Sequence, residues 1–365
     1  MKKKMMIVGD YMWDWYQKDT GNILRNLGLD VYDFKLFDYY WEWKSNKAEP
    51  NFKSFFHRIQ YGLKIGPLSS KINKKLLQEV KEKQPNYIWF YNSTQIFPST
   101  LKKLKLINPK LILMQYANDN PFSPGAKKRL WYNYIKGIKF YDIHLSYRNS
   151  NILDYKNKNC KNVYVLKSYF DPDKHFEIKK NIPSKYLSDI VFAGHYEDDG
   201  RADALELILQ KGYKLKLFGG GWNNIYEKLG SKSLLKKLYP INPASGKKYQ
   251  YAICGSKIAL CFLSKLNNDE YTRRNFEIPA MKKTVLSEYS NELARMFEED
   301  KEIVFFKNND DMLKKIKFLI QNEKANKKIA IAGFDNVYKN GHDIKSRMKE
   351  LINIIDRYEK EHNLK

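Results

Sequence analysis

The chain has 365 residues, 43% of them hydrophobic and 15% aromatic, which excludes a disordered polymer and is too much for one small core, so two domains are expected. Its net charge of +25, from 66 Lys and Arg against 41 Asp and Glu, fits either a lysine-rich compositional bias or anionic partners: nucleotide phosphates, nucleic acid or an acidic membrane surface. The three cysteines, Cys160, Cys254 and Cys261, form neither a disulfide framework nor a metal-ligand spacing, so a reducing cytoplasm is the expected compartment.

The chain opens MKKKMMIVGD. The basic front resembles that of a signal peptide, but its apolar stretch stops at Asp10, too short for a signal core or a membrane span. No later uncharged apolar run approaches span length, and a soluble protein is expected. Strand-like runs follow at 5–9, 30–34, 87–91, 111–116, 141–146 and 162–166. A second series lies at 189–194, 214–218, 257–263, 284–288 and 302–306. Helical periodicity separates them, as at 72–83, 202–211 and 310–321. Runs such as IVFAG and KIALCFL are continuously apolar, which suits parallel strands covered on both faces. The alternation predicts an α/β fold of two doubly wound, Rossmann-like domains.

Residues 168–188, SYFDPDKHFEIKKNIPSKYLS, carry two prolines, many charges and no periodicity, and read as a linker. The expected organisation is therefore an N-terminal domain at 1–167, a linker at 168–188, a C-terminal domain at 189–341 and a final amphipathic helix at 342–365. That helix aligns Ile344, Met348, Leu351, Ile354 and Ile355 on one face.

In doubly wound sheets, ligands bind beyond the carboxyl ends of the strands. In the first half those ends are Gly9-Asp10 and Asn118-Asp119-Asn120. Asp10, Asp14 and Asp119 are candidate general bases for an acceptor hydroxyl. His144, inside a strand, reads as packing. Aromatics are dense in DYMWDWYQ and at 37–64, where they serve either as core or as stacking surfaces for sugar rings. The basic, aromatic KKRLWYNYIKGIKFYD at 127–142 is the candidate surface for an anionic membrane.

In the second half, IVFAG runs into HYEDDGR, with Gly194 and His195 at a strand end and Arg201 at a helix entrance. Arg201 is either one arm of an anion site or an Arg solvated beside Glu197, Asp198 and Asp199. The run GGGW at 219–222 lets backbone approach a ligand closely, at Gly220 and Gly221 beside Trp222, or simply makes a tight turn. Residues 269–280 read DEYTRRNFEIPA, and only ten of the 66 basic residues are Arg. Proline is expected in a first helical turn, so Pro279 sets a helix start near Asn275 or Phe276. Glu277 then either complements the helix start, paired with an Arg, or offers two carboxylate oxygens to a vicinal diol such as ribose. Arg forks suit phosphate.

The run TRRNFEIPAMKKTVLSEYSNELARMFEEDKEIVFF, with IAIAGFDNVYKNGHDIKSRMKELI after it, resembles the C-terminal half of bacterial GT-B glycosyltransferases. It is nearest the group that includes the spore-maturation CgeB-like proteins. FAGHYEDDGR, GGGW and the 141–176 junction also fit that pattern. The resemblance implies a GT-B architecture, two Rossmann-like domains facing a cleft with a C-terminal helix crossing back to the N-domain. It implies that Glu277 contacts the ribose of a sugar nucleotide and that Arg201 and Arg274 meet its diphosphate. Thr272, His195, Gly194, Gly220, Gly221 and Trp222 are the further residues expected in the donor site. Asp269 falls at the first acid of the Glu-x7-Glu pair of retaining members, one methylene shorter than Glu. Where relatives carry small Gly-containing pairs after F-E-x-P-A, this chain has Met281, Lys282 and Lys283, so that turn must be built differently.

The expected activity is transfer of a sugar from a nucleotide-diphosphate sugar, UDP-sugar first, to a cell-surface glycan, lipid-linked or protein acceptor. No metal and no further cofactor are expected. The expected location is cytoplasmic, at the inner face of the membrane. The rival readings are a sugar-nucleotide epimerase, a non-catalytic sugar-nucleotide binder and a basic nucleic-acid-binding protein. Lysines spread over both halves disfavour the last.

Overall fold

The structure, a computed structural model, describes residues 2–13, 15–40 and 52–364. Asp14 and the aromatic run at 41–51 lie outside the described residues. Every expected strand forms. The chain divides into two compact units, Met1–Lys167 with Arg347–Lys365, and Ser168–Ser346.

The first unit is built on β1 (Lys4–Gly9), β2 (Asp30–Lys35), β3 (Tyr87–Tyr91), β4 (Ile112–Ala117), β5 (Ile143–Ser146) and β6 (Val163–Val165). They form one parallel sheet in the order β2-β1-β3-β4-β5-β6. β3 and β4 are buried at every position, which is why their sequences are apolar without alternation. On one face Met6, Val8, Ile88, Phe90 and Leu113 pack with Ile72, Leu76 and Val80 of the Pro67–Lys83 helix, spaced four apart along its buried stripe. That helix begins at Pro67, five residues before the periodicity shows it. Proline suits a first turn because its missing N–H would have no partner there.

The final helix, Ile344–Glu361, leaves the second unit at Ser346 and ends on the first, as expected of a crossing helix. Met348, Leu351, Ile354 and Ile355 are buried. Its end is tied down by Glu359, 3% exposed, which accepts from Lys3 Nζ at 2.5 Å and from the Tyr87 hydroxyl at 2.8 Å.

The second unit is built on β7 (Ser188–Ala193), β8 (Leu215–Phe218), β9 (Ser256–Cys261), β10 (Thr284–Glu288) and β11 (Val304–Phe306). All pairs are parallel, in the order β11-β10-β9-β7-β8. Phe192, Leu217, Leu260 and Leu286 pack with Leu205 and Ile208 of the Arg201–Gln210 helix and with Met312, Ile316 and Leu319 of the Asn309–Gln321 helix.

Two expectations change. The 168–188 segment belongs to the second unit instead of standing apart as a linker. Phe170 N–H donates to the His342 carbonyl at 3.0 Å, Ile344 N–H returns to the Phe170 carbonyl at 2.9 Å, and Gln250 Nε2 holds the Phe176 carbonyl at 2.9 Å. Anchoring through backbone groups leaves no periodicity to read. The helix expected to start at Asn275 or Phe276 spans Arg274–Ala280, with Pro279 inside it. Pro279 cannot donate to the preceding turn, and the helix ends one residue later. The turn into β10 is made by Lys282 in the left-handed region, φ 52°; for a side chain this conformation costs about 1–3 kcal/mol.

Candidate functional site

The site is built at the carboxyl ends of β7, β8 and β9 in the second unit. The loops after β7 and β8 are bonded into one piece. Gly194 N–H donates to the Phe218 carbonyl at 2.8 Å, and Tyr196 N–H to the Gly220 carbonyl at 2.9 Å. At Gly219, φ is 153°, and a Cβ there would lie 1.9 Å from the Gly194 carbonyl oxygen, so only glycine permits this approach. Gly220 lies against the His195 ring, and Gly221 takes φ 81° at the turn.

Trp222 departs from its expected role. It is 0% exposed, and its indole Nε1 donates to the Gly194 carbonyl at 2.9 Å. It plugs the core beneath both loops and presents no surface to a ligand. Arg201 departs as well. Its side chain is 3% exposed, with Nε and Nη2 on the two Asp199 carboxylate oxygens at 2.8 and 2.6 Å, and Nη1 on the His195 carbonyl at 2.6 Å. Glu197 lies 3.4 Å from the same Nη2. These bonds commit the Arg201 donors to shaping the 195–200 loop. The acidic neighbours seen in the sequence do claim this Arg, buried where solvation was the alternative.

The start of the Arg274–Ala280 helix is held by the side chain of Asn275. The buried Asn275 accepts Thr272 N–H at Oδ1, 2.8 Å, and donates from Nδ2 to Ser287 Oγ at 3.0 Å. Thr272 is itself buried, its Oγ1 3.2 Å from Cys261 Sγ, so it supports the helix start from beneath. Glu277, 8% exposed, pairs with Arg273 Nε one turn back, as the self-satisfied reading of this helix start supposed. Its Oε2 also accepts the Tyr249 hydroxyl at 2.9 Å, and His175 Nε2 lies 3.5 Å from Oε1. Burial pushes the Glu277 carboxyl up. His175, Arg273, the Tyr249 hydroxyl and Arg274 outweigh it, so the carboxyl sits below its ordinary value. Burial, with Arg273, holds His175 below its ordinary value against the pull of Glu277.

His175 and Tyr249 were not singled out from the sequence. They meet Glu277 from 102 and 28 residues away, a separation at which spacing carries no information. The only local sign is the Asp171-Pro172-Asp173 turn before His175, where Asp173 N–H caps on Asp171 Oδ1 at 3.0 Å.

Arg274 differs from Arg273. Among the described residues it forms no ion pair, and its Nε is buried without a hydrogen-bond partner. Its guanidinium is close enough to act on His195, Tyr249 and Glu277. His195 is exposed. Partial desolvation of its ring and the Arg274 charge, joined by Arg201 and opposed by Glu197, keep it below its ordinary value and neutral near pH 7. A half-buried guanidinium whose Nε lacks an acceptor, a neutral imidazole and glycine backbone thus share one sheet edge, an arrangement suited to an anion.

Asp269 lies half-buried in the loop after β9, its N–H on the Ser264 carbonyl at 2.9 Å. In the first unit, Asp10 and Asp119 stand at the carboxyl edge of the six-stranded sheet, after β1 and β4. Asp10 accepts from Gln95 Nε2 at 3.4 Å, and Asp119 is exposed. His144 is fully buried, as expected of packing. In the 127–142 segment Tyr134 and Ile138 are core, while Lys127, Lys128, Arg129, Tyr132, Lys136 and Lys139 are exposed. Among the described residues no helix is long and apolar enough to cross a membrane, and no three His, Cys, Asp or Glu side chains are grouped to hold a metal ion.

Residues 201–353 match the family model described as glycosyl transferase-like. No curated protein matches the chain. A glycosyltransferase from Rickettsia africae shares 13% identity at a TM-score of 0.65, over 98% of each chain. Anabaena Alr3699/HepE, solved in complex with UDP-glucose, shares 11% at a TM-score of 0.66, over 97% of this chain and 99% of that one. A candidate UDP-N-acetylglucosamine 2-epimerase from Listeria monocytogenes shares 12% at a TM-score of 0.58, over 99% and 98%. At these identities the likeness establishes the fold: this chain has the GT-B architecture of Rossmann-like units.

Proposed function

We propose that this chain is a metal-independent glycosyltransferase of the CgeB-like group, moving a sugar from a nucleotide-diphosphate sugar to a cell-surface glycan, lipid-linked or protein acceptor. The observation that carries the reading is Arg274, a guanidinium without an ion pair among the described residues, set beside His195 and the Gly220 loop at the carboxyl edge of the second sheet. The glycosyl transferase-like match over this unit supports it, as does the R-x-F-E-I-P-A pattern that Arg274 opens.

In this reading the second unit holds the donor. Arg274, with His195 and the backbone of Gly194, Gly220 and Gly221, meets the diphosphate, and Glu277 accepts from the ribose. Arg201 acts only by holding the loop. The bond between sugar C1 and the diphosphate oxygen breaks with its electron pair leaving on the diphosphate, whose growing charge the guanidinium stabilises. The acceptor hydroxyl oxygen bonds to C1 and gives up its proton, for which Asp10 and Asp119 are the candidate bases in the first unit. Asp269 is assigned to the transferred sugar. UDP is the first donor to test, since the Anabaena protein of this fold binds UDP-glucose. The reaction is placed at the cytoplasmic face of the membrane, with the exposed basic residues at 127–142 toward it.

The epimerase reading keeps the same donor site, and the reaction separates the two. The full chain is incubated with UDP-sugars in EDTA, with and without a cell-envelope glycan fraction. Nucleotide release that requires the fraction supports transfer. Conversion of the sugar without acceptor supports the epimerase. Turnover that stops in EDTA contradicts metal independence.

A further inference from the structure

In the first unit the Phe52–Leu63 helix inverts the usual arrangement, in which a surface helix buries its apolar stripe and exposes its polar one. Phe55 is 56% exposed and Ile59, one turn on, 40% exposed. Phe56 and, just beyond the helix, Ile65 are exposed as well. The buried positions are polar: Gln60 and Lys64, four apart on another flank. Gln60 Oε1 accepts Leu68 N–H at 2.7 Å, and Lys64 Nζ lies 3.6 Å from the centroid of the Tyr61 ring. Polar contacts thus tether this helix while large apolar side chains face outward. Its end adjoins the basic segment at 127–142, where Asn133 Nδ2 donates to the Lys64 carbonyl at 2.8 Å. On that segment Lys127, Lys128, Arg129, Tyr132, Lys136 and Lys139 are exposed.

Resting on the placement of the 127–142 segment toward the membrane, we infer that the Phe52–Leu63 helix inserts Phe55 and Ile59 into the interface of an anionic bilayer, with the neighbouring cations on headgroup phosphates. Large exposed apolar side chains beside clustered cations suit a helix lying at the boundary of headgroups and acyl chains. The cations supply the choice of an anionic surface. A second copy of this chain fits less well, because a two-fold contact sets a patch against itself and brings its like charges together. Two weak signals, one apolar and one electrostatic, together hold the first unit at the surface where neither suffices alone.

The test is co-sedimentation of the full chain with vesicles of phosphatidylcholine, alone or with about one-third phosphatidylglycerol. The wild type should bind the anionic vesicles at least about tenfold more tightly than the neutral ones. Phe55→Ser combined with Ile59→Ser, both at exposed positions, should lose at least about tenfold on anionic vesicles at an unchanged melting temperature. Lys128→Gln combined with Lys136→Gln should lose about fivefold per charge. Depth is read from an environment-sensitive fluorophore on Ile59→Cys, since Cys160, Cys254 and Cys261 are buried; its emission should shift to the blue on anionic vesicles. Undiminished binding by the serine variant, or a fluorophore that stays in water on bound protein, would overturn the insertion. The basic segment would keep its place in that case if the glutamine variant still lost affinity. Equal binding to neutral vesicles would overturn the charge-assisted mode. No binding of the wild type to either vesicle would overturn both the inference and the membrane placement beneath it. A dimer in vesicle-free buffer that the serine variant breaks, with vesicle binding intact, would assign the face to a second copy and overturn the proposal. None of these readouts depends on the donor site.

Discussion

Arg201 grips Asp199, two residues before it, in a two-point fork, Nε to Oδ1 at 2.8 Å and Nη2 to Oδ2 at 2.6 Å. The pair is buried and closes the loop between β7 and the following helix. Removing the Arg leaves Asp199 as an uncompensated charge, 7% exposed in its side chain, a loss of about 3–5 kcal/mol for a buried pair. Arg201→Ala should therefore lower the denaturation midpoint of the second unit far more than it lowers nucleotide affinity, measured where the variant is still folded. A variant of unchanged stability with abolished binding would return Arg201 to the ligand.

The glycines at 219 and 220 make opposite demands. A methyl group at 219 would meet the Gly194 carbonyl oxygen at 1.9 Å, an obstacle of rigid backbone, whereas at 220 it would meet the His195 ring at 2.9 Å. Gly219→Ala should be poorly folded or strongly destabilised, on the order of several kcal/mol, because two loops must separate and the φ of 153° is closed to side chains. Gly220→Ala should fold, with His195 displaced. Equal melting temperatures for the two variants would contradict the bonded-loop description.

His144 in β5 is 0% exposed, with Nε2 on the Ile138 carbonyl at 3.0 Å and Nδ1 buried without a partner. Burial lowers it from 6.5 to about 4, against the raising effect of the Ile138 bond. A folded-state pKa below the unfolded value means that acid favours the unfolded chain. Its contribution is complete above pH 6.5 and is lost as the pH falls through 6.5 toward about 4. The full shift corresponds to about 3 kcal/mol. Thermal unfolding of the first unit should lose stability across this window, and His144→Gln, whose amide can keep the Ile138 bond, should flatten the dependence. An equally steep profile in the variant would place the acid sensitivity elsewhere.

The strands were legible because parallel strands buried on both faces read as unbroken apolar runs: β3 and β4 are buried at every position. The last helix was legible because Met348, Leu351, Ile354 and Ile355 keep one helical face through to the core. The site was legible only in outline. Arg201 beside three acids and Trp222 after three glycines have the composition of a ligand site, yet composition does not say which way a side chain points. The structure turns both inward. Arg273 and Arg274 are indistinguishable in sequence; the helix sends one to Glu277 and leaves the other without an ion pair among the described residues. His175 was hidden in a stretch whose order comes from backbone bonds.

The central claim is that the Arg274 edge of the second unit holds a nucleotide diphosphate. The direct measurement is calorimetric titration of wild-type and Arg274→Ala protein with UDP, GDP, ADP and CDP. One nucleotide should bind the wild type, and the variant should lose about 1.5–3 kcal/mol of that binding, the value of a hydrogen bond to a charged group. Its ligand-free melting temperature should fall far less than that of Arg201→Ala, because among the described residues Arg274 forms no ion pair and only helps to hold the Glu277 carboxyl ionised. Binding of equal strength in both proteins, or of no nucleotide to either, would contradict the account.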